Sequence, residues 1–156
     1  MTLKRIAAAA SLALLMRVTS ASAQEFRGFV SAGVSSDPNQ EQYPTFGGGM
    51  LGDIGQRWVS AGVQGETLIS WPYVNGRLAV FGQGNLTPGK RITPFVLAGA
   101  GIGEYSGGLL GGGVEIRPAG QRLGFRVAFE DYLTRYRKYD GSMTHHQVGL
   151  RVGVLF

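Results

Sequence analysis

Cysteine is absent from this chain of 156 residues, and histidine is almost absent. Without cysteine, the chain has no disulfide framework and no thiolate that acts as a nucleophile or a metal ligand. The two histidines, His145 and His146, are neighbours in sequence. Adjacent side chains on an extended strand point to opposite faces, so this pair would chelate a metal ion poorly. We therefore expect no metal site and no bound cofactor.

Long apolar runs are also missing after the first 23 residues. A membrane-spanning helix needs about 20 consecutive apolar residues, so the sequence excludes a helical membrane protein. Helical periodicity of useful length is missing as well. If this chain lies in a membrane, it must do so as a closed barrel, because a lipid bilayer cannot hydrogen-bond the open edge of a sheet.

Residues 1–23 have the pattern of a secretory signal peptide. Lys4 and Arg5 precede an apolar segment that is too short to span a bilayer, and a small-residue cleavage site ends at Ala23. We expect cleavage there, followed by a single domain over residues 24–156. The whole chain has a net charge of +5. Removal of the signal peptide lowers it to about +2, which gives no reason to expect nucleic-acid binding.

Apolar residues occupy alternate positions in the last twelve residues, His145–Phe156. Val148, Leu150, Val152, Val154 and Phe156 alternate with polar or very small side chains, and only Leu155 breaks the pattern. A period of two indicates an extended strand with one apolar and one polar face. Taken alone, this segment also suits an edge strand of a soluble β-sandwich.

The same alternation recurs in seven earlier segments, which gives eight predicted strands. They are Glu25–Ser35, Thr45–Leu51, Arg57–Thr67, Gly76–Gly84, Ile92–Gly103, Gly108–Ile116, Leu123–Asp131 and His145–Phe156. Three connections are long or rich in aromatic residues, and we predict loops over Ser36–Pro44, Leu68–Asn75 and Tyr132–Thr144. Short turns mostly alternate with these loops, as in outer-membrane barrels whose termini face the periplasm. All 26 glycines follow the predicted signal peptide.

The signal peptide, the eight alternating segments and the terminal Phe156 together resemble the small eight-stranded bacterial outer-membrane barrels, the class of the OmpA transmembrane domain and OmpX. The resemblance implies an all-β fold, an eight-stranded antiparallel up-and-down transmembrane β-barrel, in the outer membrane of a Gram-negative bacterium. It also implies that periplasmic chaperones and the barrel-assembly machinery act on the chain, the latter through a C-terminal signal at Val152, Val154 and Phe156. A closed sheet has no free edge, so we expect a monomer.

Strand parity predicts which charged residues face the lumen. Arg126 and Arg151 lie between apolar neighbours, and an arginine on the lipid face near the midplane costs about 2–4 kcal/mol. Both arginines must therefore point inward. The same parity predicts a lumen network in which carboxylates pair with arginines, because buried charges must be paired. Its members are Arg27, Glu66, Arg77, Glu115, Arg126, Glu130 and Arg151.

These features favour a small barrel with a side-chain-filled lumen and a structural or adhesion role, rather than an open porin or an enzyme. The basic residues Arg135, Arg137 and Lys138 are candidates for contact with lipopolysaccharide phosphates. Three alternatives stay open: a lipid A-modifying enzyme, a weak channel for small solutes, and a soluble secreted β-barrel that binds an apolar ligand. For the enzyme, His145 and His146 with Ser142 and Asp140 nearby are the candidate groups, but the histidine–serine spacing of the lipid A deacylases is absent.

Overall fold

The computed structural model describes residues 26–36, 41–54, 57–102, 107–138 and 141–156, and for Tyr73, 135–138 and 141–144 it describes the backbone alone. These ranges form eight strands. They are β1 (Phe26–Ser36), β2 (Gln42–Ile54), β3 (Val59–Ser70), β4 (Tyr73–Asn85), β5 (Ile92–Ile102), β6 (Gly107–Ile116), β7 (Gly124–Lys138) and β8 (Gly141–Leu155). In the described ranges, no helix is long and apolar enough to cross a membrane. The predicted signal peptide lies outside the described residues and stays a prediction.

The strands close into a barrel. Each strand pairs antiparallel with the next, and β8 returns to pair with β1. In this closing ladder Phe29 pairs with Leu155, and Ser36 pairs with Val148. The shortest strand, β6, has 10 residues, and a membrane-spanning strand needs about 9–11. The prediction of an all-β, eight-stranded antiparallel up-and-down barrel is therefore confirmed.

Side chains alternate between an apolar outer wall and a largely polar lumen. On β8, Leu150, Val152 and Val154 are 37–55% exposed, whereas Arg151 between them is 5% exposed. The other strands follow the same rule, and large apolar side chains stand exposed on each of them. The sequence left the face of Phe81 undecided, and the structure places its ring inside at 5% exposure.

Inward glycines make room for the phenylalanine rings in the lumen. A Cβ atom would lie 2.8 Å from the Phe29 ring if added at Gly49, 2.8 Å from the Phe81 ring at Gly62, and 2.7 Å from the Phe95 ring at Gly113. Real Cβ contacts are longer than this, so only glycine fits beneath each ring in its present place. The interior of an eight-stranded barrel is narrow, and these pairs let aromatic rings fill it.

Phe156 closes the outside of the β1–β8 seam. Its backbone N–H donates to the Gly28 carbonyl at 2.9 Å, and its carbonyl accepts from the Gly28 N–H at 2.9 Å. The ring lies over Gly28, where an added Cβ would be 2.4 Å from a ring carbon. An aromatic ring over a glycine shields a backbone that has no side chain of its own. Phe156 therefore extends the closing ladder by one pair and covers it.

The structure contradicts two of the three predicted loops over most of their length, and the third predicted loop extends into a strand. Tyr132–Thr144 was expected to be a loop, but β7 and β8 continue through it and pair as far as Lys138 with Gly141. Leu68–Asn75 belongs to β3 and β4 except for the turn at Trp71 and Pro72. β2 likewise begins at Gln42, inside Ser36–Pro44. In Ser36–Pro44 and Tyr132–Thr144, polar residues interrupt the apolar alternation that indicates a strand. In Leu68–Asn75, two bulky aromatic residues around Pro72 indicated a loop instead.

The glycine–ring packing predicts that Gly113→Ala destabilises the barrel. The added Cβ would lie 2.0 Å from the Val127 carbonyl oxygen as well as against the Phe95 ring. Because overpacking typically costs about 1–3 kcal/mol, we expect a loss of that size in the free energy of unfolding. Urea unfolding of detergent-refolded protein, followed by tryptophan fluorescence, measures it.

Gly65→Ala is the matched control for this substitution. Gly65 lies in the middle of β3, and the nearest atom to an added Cβ is the Leu78 Cδ1 at 3.9 Å. We expect its stability to stay within about 0.5 kcal/mol of the parent protein. Equal losses in the two variants would contradict the packing argument.

Candidate functional site

The lumen holds a first group of paired charges near the barrel end that carries both termini. We call Arg27, Asp53, Glu115 and Arg126 the terminal cluster. Glu115 accepts from Arg126 Nη1 at 2.7 Å through one carboxylate oxygen and from Arg27 Nη1 at 2.8 Å through the other. Arg27 also pairs with Asp53. Two arginines and two carboxylates balance each other, which is what burial of four charges requires.

Neutral polar side chains complete the hydrogen bonding of the terminal cluster. Gln83 donates to Glu115 at 3.0 Å and accepts from Arg126 at 2.8 Å. Ser60 donates to Asp53 at 2.7 Å. Glu115 and Gln83 are each 1% exposed, so their neighbours cover almost all of their surface. This level of the lumen is filled by side chains.

A second group of charges, the distal cluster, consists of Glu66, Arg77, Glu130 and Arg151. Glu66 accepts from Arg77 Nε at 2.6 Å and from Arg151 Nε at 2.6 Å, one on each carboxylate oxygen. Arg151 Nη1 lies 3.2 Å from a Glu130 oxygen. Glu66 and Arg77 are direct partners on β3 and β4, whereas Arg151 reaches Glu66 from β8 on another part of the wall. Charge is again balanced, two against two.

Aromatic rings support the guanidinium groups of both clusters. Arg77 stacks on Tyr132 with its Cζ 3.5 Å from the ring centroid, and Arg126 lies 4.1 Å from the centroid of Phe95. The Nη2 atom of Arg126 has no oxygen partner among the described groups. The negative face of the Phe95 ring gives it a favourable surface instead. Tyr132 was expected in a loop, and this expectation is wrong because the side chain is buried in the lumen.

The structure places all seven of the predicted lumen residues inside the barrel, each at most 7% exposed. They divide into the two clusters, a division that the sequence did not reveal. Sequence reasoning missed Asp53 and Asn85, which it assigned to turns, and Tyr132, which it assigned to a loop. Each of these three residues lies two positions from a lumen-facing neighbour in the sequence. This spacing was the available signal, because side chains alternate between the two faces up to the end of a strand.

Asp131 and His146 form a pair on the outer wall. His146 Nδ1 lies 3.0 Å from an Asp131 carboxylate oxygen, and the two residues lie on adjacent strands close to the end opposite the termini. His145 is placed differently, and its carbonyl oxygen accepts from the Thr134 hydroxyl at 3.3 Å. Asp140 and the side chain of Ser142 lie outside the described part of the chain. Among the described residues, no group of three metal-ligating side chains occurs.

The remaining predicted site residues lie at the two ends of the closing hairpin. Val152 and Phe156 are 54% and 61% exposed on the outer wall, and Val154 lies between them at 37%. Arg135, Arg137 and Lys138 lie on β7, where the structure describes only the backbone. Along β7 the pairing with β6 ends at Thr134, and along β8 the pairing with β1 ends at Val148. Beyond these two residues β7 and β8 continue to pair with each other. We call this extension, residues 135–138 and 141–147, the ribbon.

Comparison with known proteins gives similarity in structure only. No protein-family model matches the chain, and no curated protein matches it in sequence. The N-terminal β-barrel domain of OprF from Pseudomonas aeruginosa is similar with a TM-score of 0.57 and 13% identity, covering 86% of this chain and 100% of that one. Neisserial surface protein A is similar with a TM-score of 0.60 and 7% identity, covering 86% and 98%.

The outer membrane protein Ail from Yersinia pestis matches less well, with a TM-score of 0.45 and 14% identity over 85% of this chain and 100% of that one. At such low identities the likenesses to OprF and to Neisserial surface protein A establish the fold alone. In fold, the predicted resemblance to the small eight-stranded outer-membrane barrels is confirmed.

Loss of one charge from the terminal cluster should destabilise the barrel strongly. Glu115→Gln keeps the volume and leaves Arg27 and Arg126 without their shared carboxylate. Removing one partner of a buried ion pair costs about 3–5 kcal/mol, and we expect a loss in the free energy of unfolding near that range. Urea titration in detergent micelles measures it.

Glu41→Gln, which removes the same charge from an exposed residue, provides the comparison for Glu115→Gln. A surface substitution of this kind changes stability by about 0.5 kcal/mol or less. A result in which the two variants are equally stable would show that the terminal cluster does not depend on its carboxylate.

Proposed function

We propose that this chain is a bacterial outer-membrane barrel with a filled lumen, and that its role is structural or adhesive rather than transport. The single observation that carries the proposal is the sorting of side chains across the wall. Large apolar side chains are exposed on every strand, while the arginine and glutamate side chains that the structure describes within the strands are buried in pairs. A wall of this kind is unfavourable in water and matched to hydrocarbon. The fold shared with OprF and Neisserial surface protein A supports the proposal.

The filled lumen supports a non-porin role. Both clusters reach across the interior, since Arg27 on β1 contacts Glu115 on β6 and Gln64 on β3 donates to Glu130 on β7 at 2.9 Å. A solute would have to break these buried contacts in order to pass. We therefore expect no steady conductance from the purified protein in planar bilayers.

If the wall of this barrel lies in a membrane, its two ends are the parts that contact molecules in the surrounding water. The ribbon extends past the neighbouring strands at the end opposite the termini, and it carries Arg135, Arg137 and Lys138. Outer-membrane barrels place their termini in the periplasm and their longer connections outside. The ribbon would then stand at the cell surface, where these cations meet the phosphates of lipopolysaccharide. This contact, like the actions of chaperones and the assembly machinery, is part of the proposal.

The rival function of lipid modification has one specific observation in its favour. The His146–Asp131 pair on the outer wall is an imidazole oriented by a carboxylate, which is two parts of a hydrolytic triad. The missing part is a nucleophile. Among the described side chains, the hydrogen-bond partner of His146 is Asp131, which is a carboxylate and not a hydroxyl. Acyl release from lipopolysaccharide that disappears in His146→Ala would replace our proposal with an enzyme.

An arginine on the outer wall tests whether the wall faces lipid. Val152 is the middle one of the five alternating apolar positions from Val148 to Phe156, so Val152→Arg places a charge near the membrane midplane. We expect it to lower the free energy of unfolding by about 2–4 kcal/mol in phospholipid vesicles. Val74→Arg, at the exposed start of β4, should cost at most about 1 kcal/mol because it lies at the rim.

The same experiment separates the membrane barrel from the soluble rival. A soluble barrel would tolerate Val152→Arg as well as Val74→Arg, and the parent protein would remain folded and monomeric without detergent. Purification of the parent protein from the membrane fraction, with faster gel migration before heating than after it, is the result that we expect.

Neutralising the ribbon cations tests the lipopolysaccharide contact. We expect Arg135→Gln/Arg137→Gln/Lys138→Gln to weaken binding of lipopolysaccharide by about tenfold or more, because each charge-assisted hydrogen bond contributes about 1.5–3 kcal/mol. Calorimetric titration in a nonionic detergent gives the dissociation constants. Arg122→Gln, which removes a charge at the opposite end, should leave binding unchanged, and an equal loss there would reject the assignment.

A further inference from the structure

The barrel end that carries both termini holds a cavity of about 250 Å³, which we call the basic cup. The turns between β2 and β3, β4 and β5, and β6 and β7 surround it, and the terminal cluster forms its inner wall. Five cationic side chains and two carboxylates line the basic cup, an excess of three positive charges. The cations are Arg27, Arg57, Lys90, Arg91 and Arg117.

Both carboxylates of the basic cup already have cationic or hydroxyl partners deeper in the barrel. Asp53 pairs with Arg27 and accepts from Ser60, and Glu115 accepts from Arg126 and Arg27. Glu115 also accepts from Arg117 Nη2 at the rim, at 3.2 Å. The excess positive charge therefore lies toward the rim, where Arg57, Lys90 and Arg91 are exposed. A cluster of like charges on the low-dielectric wall of a concave surface attracts anions.

The rim is held in place by hydrogen bonds to the barrel. The Arg117 backbone N–H donates to the Arg91 carbonyl at 2.8 Å, which joins two of the three turns. Asn85 Nδ2 donates to the Arg57 carbonyl at 2.7 Å, and the Thr93 hydroxyl donates to the Lys90 carbonyl at 3.1 Å. Each cation at the rim thus starts from a fixed backbone position, which lowers the entropy lost when a ligand binds.

Arg57 occupies a backbone conformation that favours glycine. Its φ angle is 59°, in the left-handed region, where a side chain other than glycine is strained. The same turn contains glycine at position 55, two residues earlier. A cationic side chain is therefore present at a position where the fold would be better served by glycine, and strain of this kind is often associated with a functional site.

We propose that the basic cup binds a phosphate group carried by a small molecule or a lipid headgroup. A phosphate monoester presents three terminal oxygens, and the basic cup presents cations from three turns around one space. Arginine and lysine both bind phosphate through charge-assisted hydrogen bonds. The cavity is far larger than the roughly 10–15 Å³ that one water molecule needs, so a phosphate with a substituent fits. This proposal does not rest on the role assigned to the ribbon at the other end.

Calorimetric and NMR titrations of the refolded full barrel in a nonionic detergent test the proposal. Inorganic phosphate and glycerol 3-phosphate represent a soluble source, and short-chain phosphatidylglycerol in the micelle represents a lipid source. We expect saturable shifts of the Gly89, Lys90, Arg91 and Arg117 amides with at least one source. The source with the lower dissociation constant identifies the ligand class, and sodium acetate should bind at least about tenfold more weakly.

Three variants connect the binding to the basic cup. Lys90→Gln/Arg91→Gln should raise the dissociation constant at least about tenfold, because two charge-assisted contacts are removed. Arg57→Gly should also weaken binding while it raises the urea midpoint, since the strained φ is relieved. Arg122→Gln, in the turn between β6 and β7 but outside the lining of the cavity, is the control and should bind as the parent protein does.

Three results would overturn the proposal. One is that neither phosphate source shifts the rim amides, another is that acetate binds as tightly as phosphate, and the third is that Arg122→Gln loses as much affinity as Lys90→Gln/Arg91→Gln. Unheated gel migration confirms that each variant is folded before it is titrated. None of these outcomes depends on lipopolysaccharide binding, so the two proposals fail separately.

Discussion

Closure of the sheet is the constraint on which the rest of this molecule depends. Because β8 returns to β1, strand backbones find hydrogen-bond partners on both sides, and the side chains are left with two faces of opposite curvature. The apolar set takes the outer face. Arginines and glutamates on the alternate positions must then enter a narrow interior, where a charge without a partner is too unfavourable to persist. The two neutral clusters are the consequence of this geometry.

The interior accommodates these charges because glycine and aromatic residues share the remaining space. Glycines lie under the rings of Phe29, Phe81 and Phe95, and the ring of Phe95 in turn supports the Arg126 guanidinium. A methyl group in place of one hydrogen at Gly49 or Gly62 would displace a ring. Glycine content and buried charge, which look unrelated in the composition, are thus two parts of one packing solution.

The alternation of side chains along each strand was enough to predict most of the residues on the outer wall and part of those in the lumen. A period of two is local, so eight strands, their order and the inward direction of Arg126 and Arg151 followed from the sequence. The partners across the lumen did not follow, because they depend on the stagger of the strands: Arg151 meets Glu66, 85 positions away. The ends of β7 and β8 were missed for a different reason. Beyond the apolar wall the sequence of the ribbon consists mainly of polar residues, and alternation no longer marks a strand.

The two ends of the barrel differ in structure, and each suits a different kind of binding. At one end, hydrogen bonds tie the turns of Arg57 and Lys90 to the strands and the turn of Arg117 to Arg91, and the cations there surround one cavity. At the other, β7 and β8 continue as a ribbon after their neighbours have ended. The wall between the ends is largely apolar, and the charges of the two lumen clusters are paired with one another. A fixed cup suits a small anion and a projecting ribbon suits a large surface, so selection for binding would act on the ends without disturbing the barrel.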